Sequence, residues 1–135
     1  MTSVETANLA AIRAYLEALQ RGDVGRDLAK FFTPDARQVE FPNALNVKGG
    51  MSDLPTLLRR AEQGQKLLQS QRYILKTAIA EGDRVAVEVE WTGVLATPLG
   101  SLAAGASMRA SIAMFFVLAD SRIRSQHNYD CFAPW

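Results

Sequence analysis

The sequence predicts an α+β domain in which helices come first and long antiparallel strands follow. Up to Ser70 the apolar residues recur at helical spacing, and beyond it they alternate with polar residues. Short turn segments separate the alternating stretches, as in a strand meander. Such a segregated order predicts helices packed on one face of a sheet. With 135 residues, the chain is expected to form one domain over residues 1–135.

Composition limits the classes of partner. Hydrophobic residues make up 48% and charged residues 21%, which is typical of a water-soluble protein with a core. The net charge is +1 without a basic stripe, so no nucleic-acid partner is expected. No long apolar run or signal segment is present, which predicts a cytoplasmic protein without membrane contact. One histidine and one cysteine cannot complete a zinc site, and no phosphate-binding motif occurs, so neither metal nor cofactor is expected.

Three helices are predicted before Ser70. The first covers residues 4–20, with a Thr2–Glu5 capping box at its start and Gly22 at its end. The second covers residues 27–32. A strand over 36–41 and a loop over 42–50 follow. Ser52 or Asp53 then caps the third helix, whose predicted apolar positions are Leu54, Leu57, Leu58, Ala61 and Leu68.

Four long strands are predicted over residues 72–80, 84–96, 106–118 and 122–132. The strand over 84–96 has one apolar face, formed by Val85, Val87, Val89 and Trp91. The strand over 106–118 is apolar on both faces, which predicts a homodimer in which a second subunit covers the outer face of the sheet. The residues assigned to that outer face are Met108, Ile112, Met114, Phe116 and Leu118.

Three segments resemble a known superfamily. They are residues 14–23 with Tyr15, residues 32–36 (Phe-Thr-Pro-Asp-Ala) and residues 128–130 (Asn-Tyr-Asp). The chain is similar to nuclear transport factor 2, ketosteroid isomerase, limonene epoxide hydrolase and the SnoaL-like polyketide cyclases. The resemblance implies a cone-shaped barrel with three N-terminal helices on a strongly curved, mostly antiparallel sheet. It implies much less about the reaction, because these relatives share a fold and differ in chemistry.

The catalytic groups of two relatives are incomplete in this chain. Tyr15 matches the helix tyrosine of ketosteroid isomerases, but Phe41 and Ala113 stand where their two acids are expected. Val89, Trp91 and Asn128 replace the Asp-Arg-Asp set of limonene-type epoxide hydrolases. We therefore expect neither activity at rates typical of those families.

The resemblance also implies an apolar pocket for a small apolar ligand, with a few converging polar groups. The side chains expected to face it are Tyr15, Phe41, Val87, Val89, Trp91, Ser111, Ala113, Phe115, Gln126, Asn128 and Asp130. Strand periodicity alone gives the opposite register at the end of the chain. It turns Ile123, Tyr129 and Cys131 inward and brings His127 toward the cavity. The family register is adopted, and His127 is kept as the alternative catalytic residue.

The leading functional hypothesis is a cofactor-independent enzyme acting by proton transfer or hydrolysis on a molecule of terpenoid, polyketide or aromatic size. Asp130 would accept the proton, with its pKa raised by burial, and Tyr15 would donate to a developing oxyanion. Gln126 and Asn128 would orient the substrate. Glu40 is expected to face solvent or an interface. The alternatives are a non-catalytic carrier or sensor, and a dimeric scaffold with an incidental cavity.

Overall fold

Three helices and six strands make up the fold, and the computed structural model describes residues 1–135. In chain order the elements are α1 (Ser3–Arg21), α2 (Arg26–Ala29), β1 (Phe32–Glu40), β2 (Gly50–Asp53), α3 (Leu54–Leu67), β3 (Leu68–Glu81), β4 (Arg84–Leu95), β5 (Ser107–Ala119) and β6 (Arg122–Phe132).

The first helix forms as its sequence predicts. The Thr2 hydroxyl accepts a hydrogen bond from the Glu5 backbone N–H at 3.1 Å, and the Glu5 carboxylate accepts one from the Thr2 N–H at 2.9 Å. This capping box satisfies two backbone donors that a helix start leaves free. The helix ends at Gly22, whose φ of 83° lies in the left-handed region that glycine adopts without steric cost.

The region between α2 and α3 differs from the prediction. Strand β1 already begins at Phe32, and the short strand β2 starts at Gly50, the last residue of the predicted loop. Strand β2 pairs antiparallel with β1, from Glu40 opposite Gly50 to Arg37 opposite Asp53. Four residues are too short to carry a recognisable alternation, so only pairing with β1 defines this strand. Asp53 also caps α3, because its carboxylate accepts from the Thr56 N–H at 3.0 Å.

The six strands form one curved, unclosed sheet in the order β2-β1-β6-β5-β4-β3. Every neighbouring pair is antiparallel except β1 and β6, which run parallel. Helix α3 contacts β1 and β2 at one end of the sheet and also β3 at the other end. Because α3 directly follows β2 and directly precedes β3, it connects the two edge strands of the curved sheet. The α+β class and the helices on the concave face are confirmed, in a sheet that curls without closing.

Strands β4 and β5 lie side by side in the sheet. The inward face of β4 is the predicted one, and the inward face of β5 is not. On β4, Val85, Val87, Val89 and Trp91 point into the core as predicted. On β5 the prediction was wrong. The residues expected on the outer face, Met108, Ile112, Met114, Phe116 and Leu118, are all buried against the helices. Because β5 is apolar on both faces, its alternation alone does not tell which face meets the helices.

A β-bulge in β6 reconciles the register implied by the family resemblance with the register predicted from strand periodicity. Val117 pairs with Ser125 while Leu118 pairs with Ile123, so Arg124 is an extra residue on β6. The extra residue switches the inward parity from odd to even positions. Ile123 and Gln126 are therefore both buried, although simple alternation would place them on opposite faces.

Candidate functional site

A cavity of about 350 Å³ lies between the concave face of the sheet and the helices α1 and α3. Most of its wall is apolar. The main apolar contributors are Leu19, Leu28, Leu57, Leu68, Leu95, Met108, Ile112, Met114 and Phe132. The polar side chains converge from β1, β3, β6 and α3, and an apolar wall with few polar groups is typical of sites for small organic ligands.

Strand pairing explains which polar residues face the cavity. After the bulge, Gln126, Asn128 and Asp130 pair with the inward residues Phe116, Met114 and Ile112 of β5. Paired residues of neighbouring strands point to the same face of a sheet. The same rule applies to β1, where Gln38 pairs with Gln126 and Glu40 with Asn128. All five of these polar side chains therefore share the concave face.

The Tyr15 end of the cavity is a completed hydrogen-bond chain. The Tyr15 hydroxyl donates to Gln126 Oε1 at 2.9 Å, and Gln126 Nε2 donates to Asn128 Oδ1 at 2.7 Å. Tyr15 is 2% exposed and Gln126 is 1% exposed. Burial raises the pKa of Tyr15 above its ordinary value, so the phenol stays protonated. Since its only proton is donated to Gln126, Tyr15 orients the amides of β6 and is not free to donate to a ligand.

At the other end of the cavity, the Asp130 carboxylate lacks hydrogen-bond donors. Its Oδ1 atom is buried and has no hydrogen-bond partner. Burial, reinforced by the negative charge of Glu40, raises the pKa of Asp130 to about 6, and the Asn128 amide partly offsets this shift. An unpaired buried acceptor costs folding free energy and is a candidate functional group for that reason. The raised pKa agrees with the sequence-based expectation.

Glu40 is the second carboxylate of the cavity, contrary to the expectation that it faces solvent. It forms an ion pair with Arg60 of α3 at 2.7 Å. The amides of Asn43 and Asn46 donate to its two oxygens at 3.3 and 3.0 Å. These contacts outweigh the effect of burial and hold the pKa of Glu40 below its ordinary value. Glu40 therefore stays ionised while Asp130 titrates near neutrality.

The wall formed by β3 and β4 adds an aromatic pair. Tyr73 is paired with Trp91, so both rings point to the concave face. The Trp91 indole N–H donates to Gln71 Oε1 at 3.0 Å, and the Gln71 amide in turn donates to the Leu19 carbonyl at 2.8 Å. The indole is thereby attached to the end of α1. Gly93 allows this arrangement, because a Cβ atom there would lie 2.6 Å from the Trp91 ring.

Only some of the predicted site residues meet in this cavity. Its wall includes Tyr15, Trp91, Gln126, Asn128 and Asp130. Val87 and Val89 point inward but are buried in the core outside the cavity wall.

The remaining predicted site residues lie on the outer face. They are Phe41, Ser111, Ala113, Phe115 and His127, and placing them in the cavity was wrong. The inward positions of β5 are the even ones, so its odd residues point outward. His127 pairs with the outward Phe115, and the Phe41 ring stacks on the outward Tyr129 at 4.3 Å.

Sequence reasoning missed several polar residues of the cavity wall, among them Glu40, Arg60 and Tyr73. The parallel pairing of β1 with β6 turns Glu40 inward, and nothing local to β1 signals it. Arg60 lies three residues after Leu57 on α3, a spacing that puts both on one helix face. Tyr73 lies within a predicted strand, two residues before Leu75, so both share one face. Because Ile74 between them is also apolar, only pairing with Trp91 identifies that face as the inward one.

No group of three or more His, Cys, Asp and Glu side chains is arranged to hold a metal ion. None of the three helices combines the length and hydrophobicity needed to cross a membrane.

The sequence model of the SnoaL-like domain matches residues 12–126, which include the second half of α1 and, from the polar row on β6, Gln126. The chain belongs to the SnoaL-like domain family. A comparison with curated proteins gives no significant match.

Solved structures with the same fold include two proteins of the genus Streptomyces. AclR of Streptomyces galilaeus, a candidate hydroxylase, has a TM-score of 0.77 and 16% identity, over 93% of this chain and 76% of that chain. IdmH of Streptomyces antibioticus, a candidate polyketide cyclase, has a TM-score of 0.77 and 19% identity, over 91% of both chains.

A ketosteroid isomerase-like protein of Catenulispora acidiphila, solved with trimethylamine, has a TM-score of 0.67 and 16% identity, over 88% of this chain and 83% of that chain. At such low identities these similarities establish the fold of this chain and not its reaction.

Proposed function

We propose that this SnoaL-like protein is an enzyme that moves a proton on a small, largely apolar molecule of terpenoid, polyketide or aromatic size, without a cofactor. The observation that carries the proposal is the buried, unpartnered Oδ1 of Asp130 in an apolar cavity of about 350 Å³. A general base works best when its pKa lies near the working pH, and the pKa of Asp130 is raised to about 6. The structural neighbour IdmH, a candidate polyketide cyclase, supports the same class of chemistry.

The two carboxylates have different tasks in this proposal. Asp130 takes a proton from a C–H or O–H bond of the ligand, whose electron pair stays on the ligand, and later returns it. Glu40 remains ionised through Arg60 and raises the pKa of its neighbour. Pairs of titratable groups whose pKa values are pushed apart are typical of acid–base sites.

A carrier or sensor is the second candidate. The completed Tyr15–Gln126–Asn128 chain and the ordered Trp91 indole favour a preformed pocket, which a binding protein also needs. The two candidates differ in their need for Asp130. A carrier tolerates its replacement by asparagine, while the enzyme loses turnover.

The test is solvent exchange. Purified protein in D₂O is incubated with a panel of apolar ketones, esters and phenols, and deuterium uptake and product formation are followed by mass spectrometry. We expect exchange or turnover for at least one class, rising as the pH passes through about 6 and level above it, because the base must be ionised. Binding is followed separately by quenching of Trp91 in a Trp135→Phe background.

The decisive variant is Asp130→Asn, with Asp83→Asn at an exposed turn as the matched control. Asp130→Asn is expected to bind the same ligand and to lose exchange by about two to four orders of magnitude. Unchanged exchange in Asp130→Asn would contradict the proposed role, and binding without exchange in the wild type would favour the carrier.

As partner, we propose a second copy of the chain on the outer sheet face. Its surface consists of side chains other than those predicted: Phe115 is 51% exposed and Tyr129 is 41% exposed, and they contact each other beside Phe41. Exposed aromatic clusters of this kind are typical of interfaces.

Light scattering is expected to give twice 14.8 kDa for the wild type and for Val47→Asp, but a monomer for Phe115→Asp. A monomeric wild type at micromolar concentration would exclude the dimer.

A further inference from the structure

The cavity contains two tyrosines whose hydroxyl groups differ in a way that bears on ligand binding. The hydroxyl of Tyr15 is fully engaged, since its proton is donated to Gln126 at 2.9 Å. The hydroxyl of Tyr73 has no hydrogen-bond partner in the protein, although its ring lines the same cavity. A phenol in an apolar wall normally finds a partner for its O–H. The Tyr73 hydroxyl is therefore a donor that is still available.

Strand register brings this donor toward Asp130. Along one row of the concave face Tyr73 pairs with Trp91, Trp91 with Ala110, and Ala110 with Phe132. Asp130 lies two residues before Phe132, in the adjacent row of the same face. In a flat sheet the two backbones would be about 14 Å apart, three strand spacings. The curl of the sheet turns both side chains toward the space between them.

The electrostatics of Tyr73 agrees with this placement. Besides burial, the negative charge of Asp130 raises the pKa of Tyr73 above its ordinary value. A phenol with a raised pKa keeps its proton, so Tyr73 is suited to donate a hydrogen bond and not to transfer a proton. The carboxylate and the phenol do not bond to each other, since Asp130 Oδ1 has no partner. A ligand between them would meet an acceptor on one side and a donor on the other.

We infer that Tyr73, and not the helix tyrosine Tyr15, is the hydrogen-bond donor that contacts the ligand's oxygen opposite Asp130. The inference deepens the proposed function and rests on it for the role of Asp130. When Asp130 removes a proton from the carbon beside a carbonyl group, the C–H electron pair moves into the carbon–carbon bond and negative charge develops on the carbonyl oxygen. The Tyr73 hydroxyl stabilises that oxygen without giving up its proton. The ligand class selected by this pair is a compound with a carbonyl oxygen next to an acidic C–H bond.

The test uses 2-acetylnaphthalene labelled with ¹³C at its carbonyl, a ketone whose infrared carbonyl band moves to lower frequency when its oxygen accepts a hydrogen bond. We expect the bound ketone to show the lowered band in the wild type and in Tyr129→Phe, an outer-face control. In Tyr73→Phe the band is expected to return to its position in an apolar solvent, with binding roughly three- to tenfold weaker. In Tyr15→Phe the lowered band is expected to persist.

Three other outcomes overturn the inference. A lowered band that persists in Tyr73→Phe, or that disappears in Tyr15→Phe, assigns the donor elsewhere, and a ketone that does not bind shows that the hydroxyl is not available to ligands. If Tyr73→Phe does not fold, 3,5-difluorotyrosine at position 73 replaces it. The more acidic phenol should lower the band further, and an unmoved band counts against Tyr73. A shifted band without deuterium exchange would retain the donor and reject the proposed base.

Discussion

The two ends of the cavity are built from similar residues but differ in how their hydrogen bonds are satisfied. At the Tyr15 end, the phenol donates to Gln126 and the Gln126 amide donates to Asn128, so both of these donors have an acceptor. At the other end, Asp130 Oδ1 and the Tyr73 hydroxyl have no protein partner. Satisfied buried networks stabilise and define a fold, whereas unsatisfied groups reduce stability and remain available to a ligand. The Tyr15 end is thus the structural part of the site and the Asp130 end the reactive part.

The largest effect on stability is expected from removing the hydrogen-bond chain at the Tyr15 end. Gln126→Ala removes the acceptor of the Tyr15 proton and the donor to Asn128, and it leaves a space in the core. We expect the free energy of unfolding to fall by about 3–4 kcal/mol, measured by urea unfolding. Gln63→Ala, on the exposed face of α3, is the matched control and should change stability by less than about 0.5 kcal/mol. A similar, small effect of both variants would contradict the structural role of Gln126.

At the reactive end we expect a substitution to increase the free energy of unfolding, opposite to the effect of Gln126→Ala. The pKa of Asp130 is raised to about 6 from an ordinary value of 3.8, so its contribution to stability is fully present below about pH 4 and is lost as the pH rises through 6. Asp130→Asn removes the buried charge. We therefore expect it to stabilise the protein at pH 8 by about 1–3 kcal/mol, allowing for solvent screening, with a smaller difference at pH 4.

The measurement is urea unfolding of both proteins at pH 4, 6 and 8. A variant that is less stable than the wild type at pH 8 would mean that the Asp130 carboxylate has a native partner, and the contrast between the two ends would disappear.

A moderate effect is expected where the cavity wall depends on Gly93. In Gly93→Ala the new Cβ meets the Trp91 ring at 2.6 Å and a Leu68 methyl group at 3.2 Å, so the indole must move away from Gln71. We expect a loss of about 1–2 kcal/mol from overpacking. A shifted tryptophan emission maximum in a Trp135→Phe background checks the movement, with Gly64→Ala, where a Cβ meets open space, as control. An unchanged emission would show that Trp91 has room to stay in place.

The smallest effect is expected for a substitution of Glu40 and concerns the pKa of Asp130. Glu40→Gln removes the charge that helps to raise the pKa of Asp130, so that pKa should fall while burial keeps it above the ordinary value. Carbon-13 NMR of the aspartate carboxyl group follows the titration. Glu90→Gln is the control, because Glu90 also pairs with an arginine, Arg109 at 3.0 Å, but on the outer face. An Asp130 pKa that responds equally to both variants would mean that Glu40 acts only through net charge.

Much of the fold was predictable because it depends on local signals. The capping box at Thr2, the stop at Gly22 and the period change after Ser70 each report the conformation of nearby residues. The inward face of β4 was predictable for the same reason, since only one of its faces is apolar. Within the site, Asp130 and its raised pKa followed from the family register of the last strand. The role expected for Tyr15 did not follow, because its hydrogen bond to Gln126 joins residues 111 positions apart.

The sequence by itself determined the order of the helices and of the four long strands, the ends of α1, and the apolar and polar faces of β4. Only the tertiary structure decided which face of β5 meets the helices, where the parity of β6 changes, and that Glu40 lies beside Asp130. The physical reason is that alternation is a property of a single strand, whereas the choice of face depends on its neighbours. One extra residue at Arg124 and one parallel pairing between β1 and β6 turn a row of polar side chains into the cavity. Without the extra residue, Gln126, Asn128 and Asp130 would face the side of the sheet opposite to Ile123.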